Sequence, residues 1–354
     1  MCVMGAGVCL CLCVRGEGRT IWVDGERGDN SKTGSETEPV KTIGKGVSLA
    51  VAGDEVVVKA GKYWKEEFSS GREYGKEGQV LVVRSEEKGK AVVVGGIEVG
   101  AGEYVVVEGF EVVGEGVKVA GRHNEVRECS IHNLLGKTGI VVEGEDNRVV
   151  GNRIERVTFG MEVKGKRHVV EGNEISRLVW AEGLGDADYI RFWGEGHVFR
   201  RNYLHGTRKE EVGKAHVDGW QTYSVNPGEY ARDVLIEGNI LTGYFAHGVI
   251  LEAKKEWDGL AFSCEGMMVR NNVFAGGRTV ARVVGARNVQ IFSDTFINVK
   301  GGGVSFMTSV DGTGTTGSVK NNVFYDSRWY RIQTMRPESG CVLEGEKNVL
   351  FVPQ

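Results

Sequence analysis

The chain has 354 residues, enough for a large apolar core, and its 54 Gly, 4 Pro and 41% hydrophobic residues mark a glycine-turned β-protein rather than a disordered chain. Its net charge is −4 and no Lys/Arg run forms a basic arm. That balance argues against a nucleic-acid partner, which demands phosphate-neutralising surface.

The amino-terminal run MCVMGAGVCLCLCV is apolar as far as Arg15, too short to span a bilayer, and similar to the hydrophobic part of a signal peptide. It predicts residues 1–19 as a signal-like segment and 20–354 as one domain. The expected product is a secreted, periplasmic or cell-surface monomer with no transmembrane segment. Cys2, Cys9, Cys11 and Cys13 fall in this segment, and the spacing of Cys129, Cys264 and Cys341 predicts buried free thiols.

Residues 21–66, IWVDGERGDNSKTGSETEPVKTIGKGVSLAVAGDEVVVKAGKYWKE, follow. Thr42 is placed to cap a short amphipathic helix whose Ile43, Val47 and Ala50 cover the end of whatever lies beneath. Asp24, Asp29 and Asn30 suit plain turns, with a structural Ca²⁺ as the alternative.

Beyond this, a repeat dominates the chain. Short β-branched runs such as HVVEGNEI (168–175), VLIEGNIL (234–241) and MMVRNNVF (267–274) share one frame, with Asn152, Asn173, Asn202, Asn239, Asn272, Asp294 and Asn322 at the same position. A second strand follows each marker, including YIRFWG (189–194), GWQTYS (219–224), GVILEA (248–253) and TVARVVG (279–285). Two or more strands per repeat predict a coil, stacked on its neighbours about 4.8 Å apart into parallel sheets. The marker asparagines are expected to occupy left-handed turns and to bond one another as a ladder.

This layout resembles the pectate-lyase-like superfamily over roughly residues 20 to 350. The opening segment is similar to that of exported members at Gly28-Asp29, Gly34, Pro39, Thr42-Ile43, Gly53-Asp54 and Gly61-x-Tyr63. The resemblance implies an all-β, right-handed parallel β-helix that acts on a polysaccharide or oligosaccharide.

Spacings between markers exceed the minimal coil most between Asn173 and Asn272, and long loops on a repetitive scaffold carry function. Strand parity puts Arg191 and Trp193 outside with Ile190 and Phe192 inside, and Glu252 outside with Leu251 inside. Stacking then brings Arg191, the segment from His216 to Tyr223, Glu252 and Arg282 into one strip. Arg191, Lys214, His216, Asp218 and Glu252 are the candidate catalytic residues. Trp193, Trp220, Gln221, Tyr223 and Arg282 are the candidate sugar-binding residues, aromatic faces serving the rings and cations the acidic groups.

Three functions remain open. A lyase would take the proton beside a uronate carboxylate, with Lys214 as preferred base and Arg191 as its cationic neighbour, and with cations or Ca²⁺ stabilising the enolate-like charge. No segment resembles the WIDH of calcium pectate lyases. A glycoside hydrolase would pair Asp218 with Glu252. Ala246-His247-Gly248 is similar to the Gly-His-Gly of polygalacturonases, but the Asp-Asp pair of those enzymes does not occur. The third function is non-catalytic glycan binding.

Overall fold

The computed structural model describes residues 18–68, 74–223, 228–253, 263–309, 312–327, 332–334 and 341–351. The segment holding Cys2, Cys9, Cys11 and Cys13 lies outside them, as does most of the signal-like run.

A 13-stranded all-parallel sheet runs from Thr20–Val23 through Glu55–Val58 and onward to Val342–Glu346. Each coil supplies one strand to it, then turns a corner into further strands that stack in parallel on the counterparts from adjacent coils. In the coil after Asn173 these are Glu174–Ser176 and Ile190–Glu195, before Val198–Arg200 supplies the next strand of the 13-stranded sheet. In-register partners set the stack, as in Val170 with Phe199 and Ile175 with Leu204. The interior is a column of Val, Ile, Leu and Phe that includes Phe192, Phe199, Phe274, Phe296 and Phe324. Consecutive rings of Phe274, Phe296 and Phe324 lie 5.4 and 4.7 Å apart, so neighbouring coils fill one continuous core.

The predicted cap is present. Thr42 accepts a hydrogen bond from the Lys45 amide at 3.2 Å and starts the helix Ile43–Leu49, which buries Ile43 and Val47. Asp24 accepts from the Glu26 and Arg27 amides, Asp29 from that of Ser31, and Asn30 from those of Lys41 and Thr42. These three side chains therefore close turns.

The ladder is also present, with one change. The marker side chains bond in series: the Asn152 amide nitrogens reach Asn173 Oδ1, those of Asn173 reach Asn202, and the chain continues through Asn239, Asn272, Asp294 and Asn322 to Asn348. The left-handed conformation, however, belongs to the residue just before each rung, as at Gly151 (φ 63°) and Asn271 (φ 57°). The rung itself stays free to aim its amide along the axis. A second, shorter ladder occupies another corner, where His168 Nδ1 accepts from the Asn147 amide and His197 Nδ1 from the His168 amide. These imidazoles stack with centroids 5.1 Å apart.

Cys129, Cys264 and Cys341 are buried free thiols. No helix among the described residues is long and apolar enough to cross a membrane.

Candidate functional site

The predicted strip is assembled by parallel register: Arg191 pairs with Gln221, Gln221 with Ile250, and Ile250 with Arg282, while Tyr223 pairs with Glu252. Ile190 and Phe192 face the core as expected. The strip is nevertheless closed over much of its length. Arg191 lies with its guanidinium carbon 4.1 Å from the Phe159 ring centroid and 5.7 Å from that of Tyr223. Its Nε donates to Asp188 at 2.7 Å and its Nη2 to Asp186 at 2.9 Å. Its charge is thus paired with two carboxylates of the strip.

Two aromatic expectations change. Trp220 is fully buried and packs inside the column at 6.3 Å from Phe274. It cannot bind sugar. The reason is strand parity: with Gln221 outside, over Asp218, Trp220 must point in. Trp193 does face outward, but Tyr223 covers it edge-on and the indole N–H donates to the Tyr223 carbonyl at 2.7 Å, leaving only 6% exposed. Tyr223 remains half-buried as the lid over both Arg191 and Trp193. Farther along, Arg282 forms an ion pair with Glu252 at 3.0 Å.

At the other end of the strand, Asp218 is fully buried and both its oxygens are engaged. His216 Nδ1 lies 3.0 Å from Oδ2, and His247 Nδ1 lies 3.0 Å from Oδ1. Gln221 donates to Oδ2 at 3.1 Å, and the His247 amide to Oδ1 at 3.0 Å. The Asp218 amide in turn donates to Asp188 Oδ1 at 2.9 Å, tying two stacked coils together. Burial acts to raise the Asp218 pKa, yet the bonds from His216 and His247 outweigh it and hold the group below the usual carboxylate range. Burial and the adjacent Asp218 push Asp188 up to about 8, against the pull of Arg191. The bond to Asp218 raises the His216 pKa above its ordinary value.

His247 and Asp188 were not legible as site residues from the strip. The available signal was the coil register itself, since Asp218 and His247 occupy equivalent positions in consecutive coils. The same register rules out Asp218 and Glu252 as a hydrolytic pair. Asp218 lies opposite His247, and Glu252 is five residues farther on, roughly 16 Å at ~3.3 Å per residue. Hydrolytic carboxylates stand about 5 to 9.5 Å apart.

His216 forms part of the wall of a groove of about 670 Å³. Lys209, Lys214, Arg278 and Lys300 line it too, and no carboxylate does among the described residues. Lys209 donates to the Tyr244 hydroxyl at 2.8 Å and its ammonium lies 4.8 Å from that ring's centroid. Glycines at 243, 276, 277 and 301 keep the floor low. Of the predicted catalytic residues, Lys214 and His216 thus share this open groove. Asp218 supports His216 from beneath, whereas Arg191 and Glu252 are held in ion pairs of the strip.

A capped column of parallel coils with a cationic groove on one flank is a right-handed parallel β-helix. No family model matches the chain, and no curated protein matches it in sequence. Among solved structures it is similar to the GH136 lacto-N-biosidase from Eubacterium ramulus, with TM-score 0.56 and 12% identity over 95% of this chain and 68% of that one. It is also similar to a PL6 family polysaccharide lyase from Pseudopedobacter saltans, with TM-score 0.57 and 12% identity over 95% and 93% of the two chains. The A-module of a mannuronan C-5 epimerase from Azotobacter vinelandii gives TM-score 0.55 and 11% identity over 85% and 91%. At these identities the likeness is one of fold.

Proposed function

We propose that the protein is an exported, monomeric, single-domain enzyme that cleaves an acidic, uronate-containing polysaccharide by β-elimination in the groove beside His216. The observation that carries this reading is the charge of the groove: Lys209, Lys214, Arg278 and Lys300 converge on one open channel with no lining carboxylate among the described residues. Such a channel attracts carboxylates and repays little to a neutral glycan. The similar structures that are named as a polysaccharide lyase and a mannuronan epimerase support it.

The chemistry follows from the charges. Cations around a bound uronate carboxylate stabilise the negative charge that develops when the neighbouring C5–H is broken. Lys214 is the base that takes that proton. The electron pair then forms the C4–C5 double bond as the C4–O bond breaks, and the departing glycosidic oxygen takes a proton from solvent. The products are an unsaturated uronate and a new chain end.

The test is incubation of purified protein with a panel of acidic and neutral polysaccharides, followed by ultraviolet absorption and mass analysis of the products. Unsaturated ends from an acidic polymer, lost in Lys214→Ala, are expected. Saturated products would assign a hydrolase instead, and saturable binding with no turnover would assign a glycan-binding protein.

A further inference from the structure

The environment of Asp218 has a feature that the elimination chemistry does not use. Asp186 and Asp188 share one guanidinium, that of Arg191, and Asp218 joins them through the bond from its amide to Asp188. Asp188 and Asp218 have fully buried side chains. The cluster is rich in acidic groups, and burying uncompensated charge is costly. Two imidazole nitrogens approach the outermost of these carboxylates from different coils, one to each oxygen, both at 3.0 Å.

One donor atom from each of His216, Asp218 and His247 lies within 4.8 Å of the others. Around a tetrahedral metal with bonds of about 2.0–2.2 Å to nitrogen and oxygen, donors stand roughly 3.4 Å apart. The three donor atoms would therefore draw together by about an ångström to close on an ion. Each is already aimed. The His247 amide and Gln221 hold the carboxylate, and the Asp218 amide is anchored on Asp188. The His216 side chain is 39% exposed on the groove wall, so the outer side of the cluster is open to solvent.

We propose that His216, Asp218 and His247 form a binding site for a divalent transition-metal ion, with its unfilled positions facing the groove. Two nitrogens and one carboxylate suit Zn²⁺, Co²⁺, Ni²⁺ or Mn²⁺, whereas Ca²⁺ takes an all-oxygen shell. A 2+ ion here would offset the negative charge of Asp218. Three protein ligands with open positions are the arrangement of a reactive rather than a structural site. Its use in turnover, as a further cation facing the uronate carboxylate, rests on the elimination reading. The binding itself does not.

The experiment is titration of chelator-treated full-length protein with Zn²⁺ and Co²⁺, followed by calorimetry, by the visible absorption of bound Co²⁺ and by melting temperature. The expected result is saturable one-to-one binding that raises the melting temperature. His216→Ala and His247→Ala should each weaken binding at least tenfold while keeping the wild-type circular dichroism, and His132→Ala, on another coil, should bind as wild type does. Absence of saturable binding in folded wild-type protein would overturn the site, as would undiminished binding in His247→Ala. Metal binding without turnover of any polysaccharide would leave the site standing and refute the enzymatic reading. Full turnover by protein that binds no metal would do the reverse.

Discussion

Replacing Asp294 by Asn should stabilise the protein at neutral and alkaline pH and remove a pH dependence that the wild type carries. Asp294 is the carboxylate in a ladder of amides. Its Oδ1 accepts from the Asn272 backbone and side-chain nitrogens at 2.7 and 2.9 Å, as an asparagine would, but its Oδ2 is buried without a partner. Each neighbouring rung sends an amide hydrogen to the carbonyl three residues before the previous rung, Asn272 to Ile236 and Asn322 to Ile291. By that register Asp294 Oδ2 faces the Val269 carbonyl, which only a protonated carboxyl can satisfy. Burial pushes the group from 3.8 up to about 7. The folded state therefore binds the proton more tightly than the unfolded one. Stability is greatest below pH ~4, falls as pH rises to about 7, and is level above that. The full span corresponds to roughly 4 kcal/mol at about 1.4 kcal/mol per pH unit, an upper limit because the corner can relax. The amide variant keeps every acceptor and supplies the missing donor at no ionisation cost. Urea denaturation of both proteins at pH 5 and pH 8 is the assay: the variant should gain at least about 2 kcal/mol over wild type at pH 8 relative to pH 5. Parallel pH dependences would refute the reasoning.

Asn239→Ala should cost about 1–3 kcal/mol in denaturant unfolding, because it leaves the Asn202 amide and the Phe199 carbonyl unpaired in the core. An unchanged midpoint would refute the ladder's contribution. His197, pushed down to about 4 by burial, must stay neutral to accept from His168, so the native state binds fewer protons than the unfolded one. Stability should then be complete above pH 6.5 and decline by roughly 3 kcal/mol as pH falls to 4, and His197→Asn should abolish most of that decline in acid-unfolding curves. Trp220→Ala should destabilise by about 3–5 kcal/mol as a core cavity, and a lowered melting temperature at unchanged circular dichroism is the check. Arg278→Ala should raise KM for an acidic polymer several-fold while leaving the melting temperature unchanged, with the loss shrinking as salt is added.

The coil was legible because its signal is local and repeated: one polar residue at a fixed place in a β-branched run, seven times in frame. Parity within single strands was equally readable, and Ile190, Phe192 and Leu251 face the core as it required. Trp220 shows where the reading failed. Its face depended on how the chain passes Gly219, and a glycine leaves strand phase undetermined by sequence. The cover over Arg191 and Trp193 was hidden for another reason, since parity gives direction but not cover, and Tyr223 arrives from the next coil. The groove was hidden because its cations are scattered from Lys209 to Lys300 along the chain, and only the stacking of coils gathers them. His247 stood outside the strip until register set it against Asp218.

The groove's lining comes from successive coils: Lys209 and Lys214 from the coil after Asn202, Tyr244 from the one after Asn239, Arg278 from that after Asn272, and Lys300 from that after Asp294. Successive coils lie about 4.8 Å apart, so their loops reach the groove at about that interval. The flank works as a ruler, graduated in coils. Shortening a loop changes the height of a mark but not its position, whereas inserting or deleting a whole coil moves every mark beyond it by one division. The length of chain that such a surface can measure is thus altered in steps, independently of the residues that grip each unit.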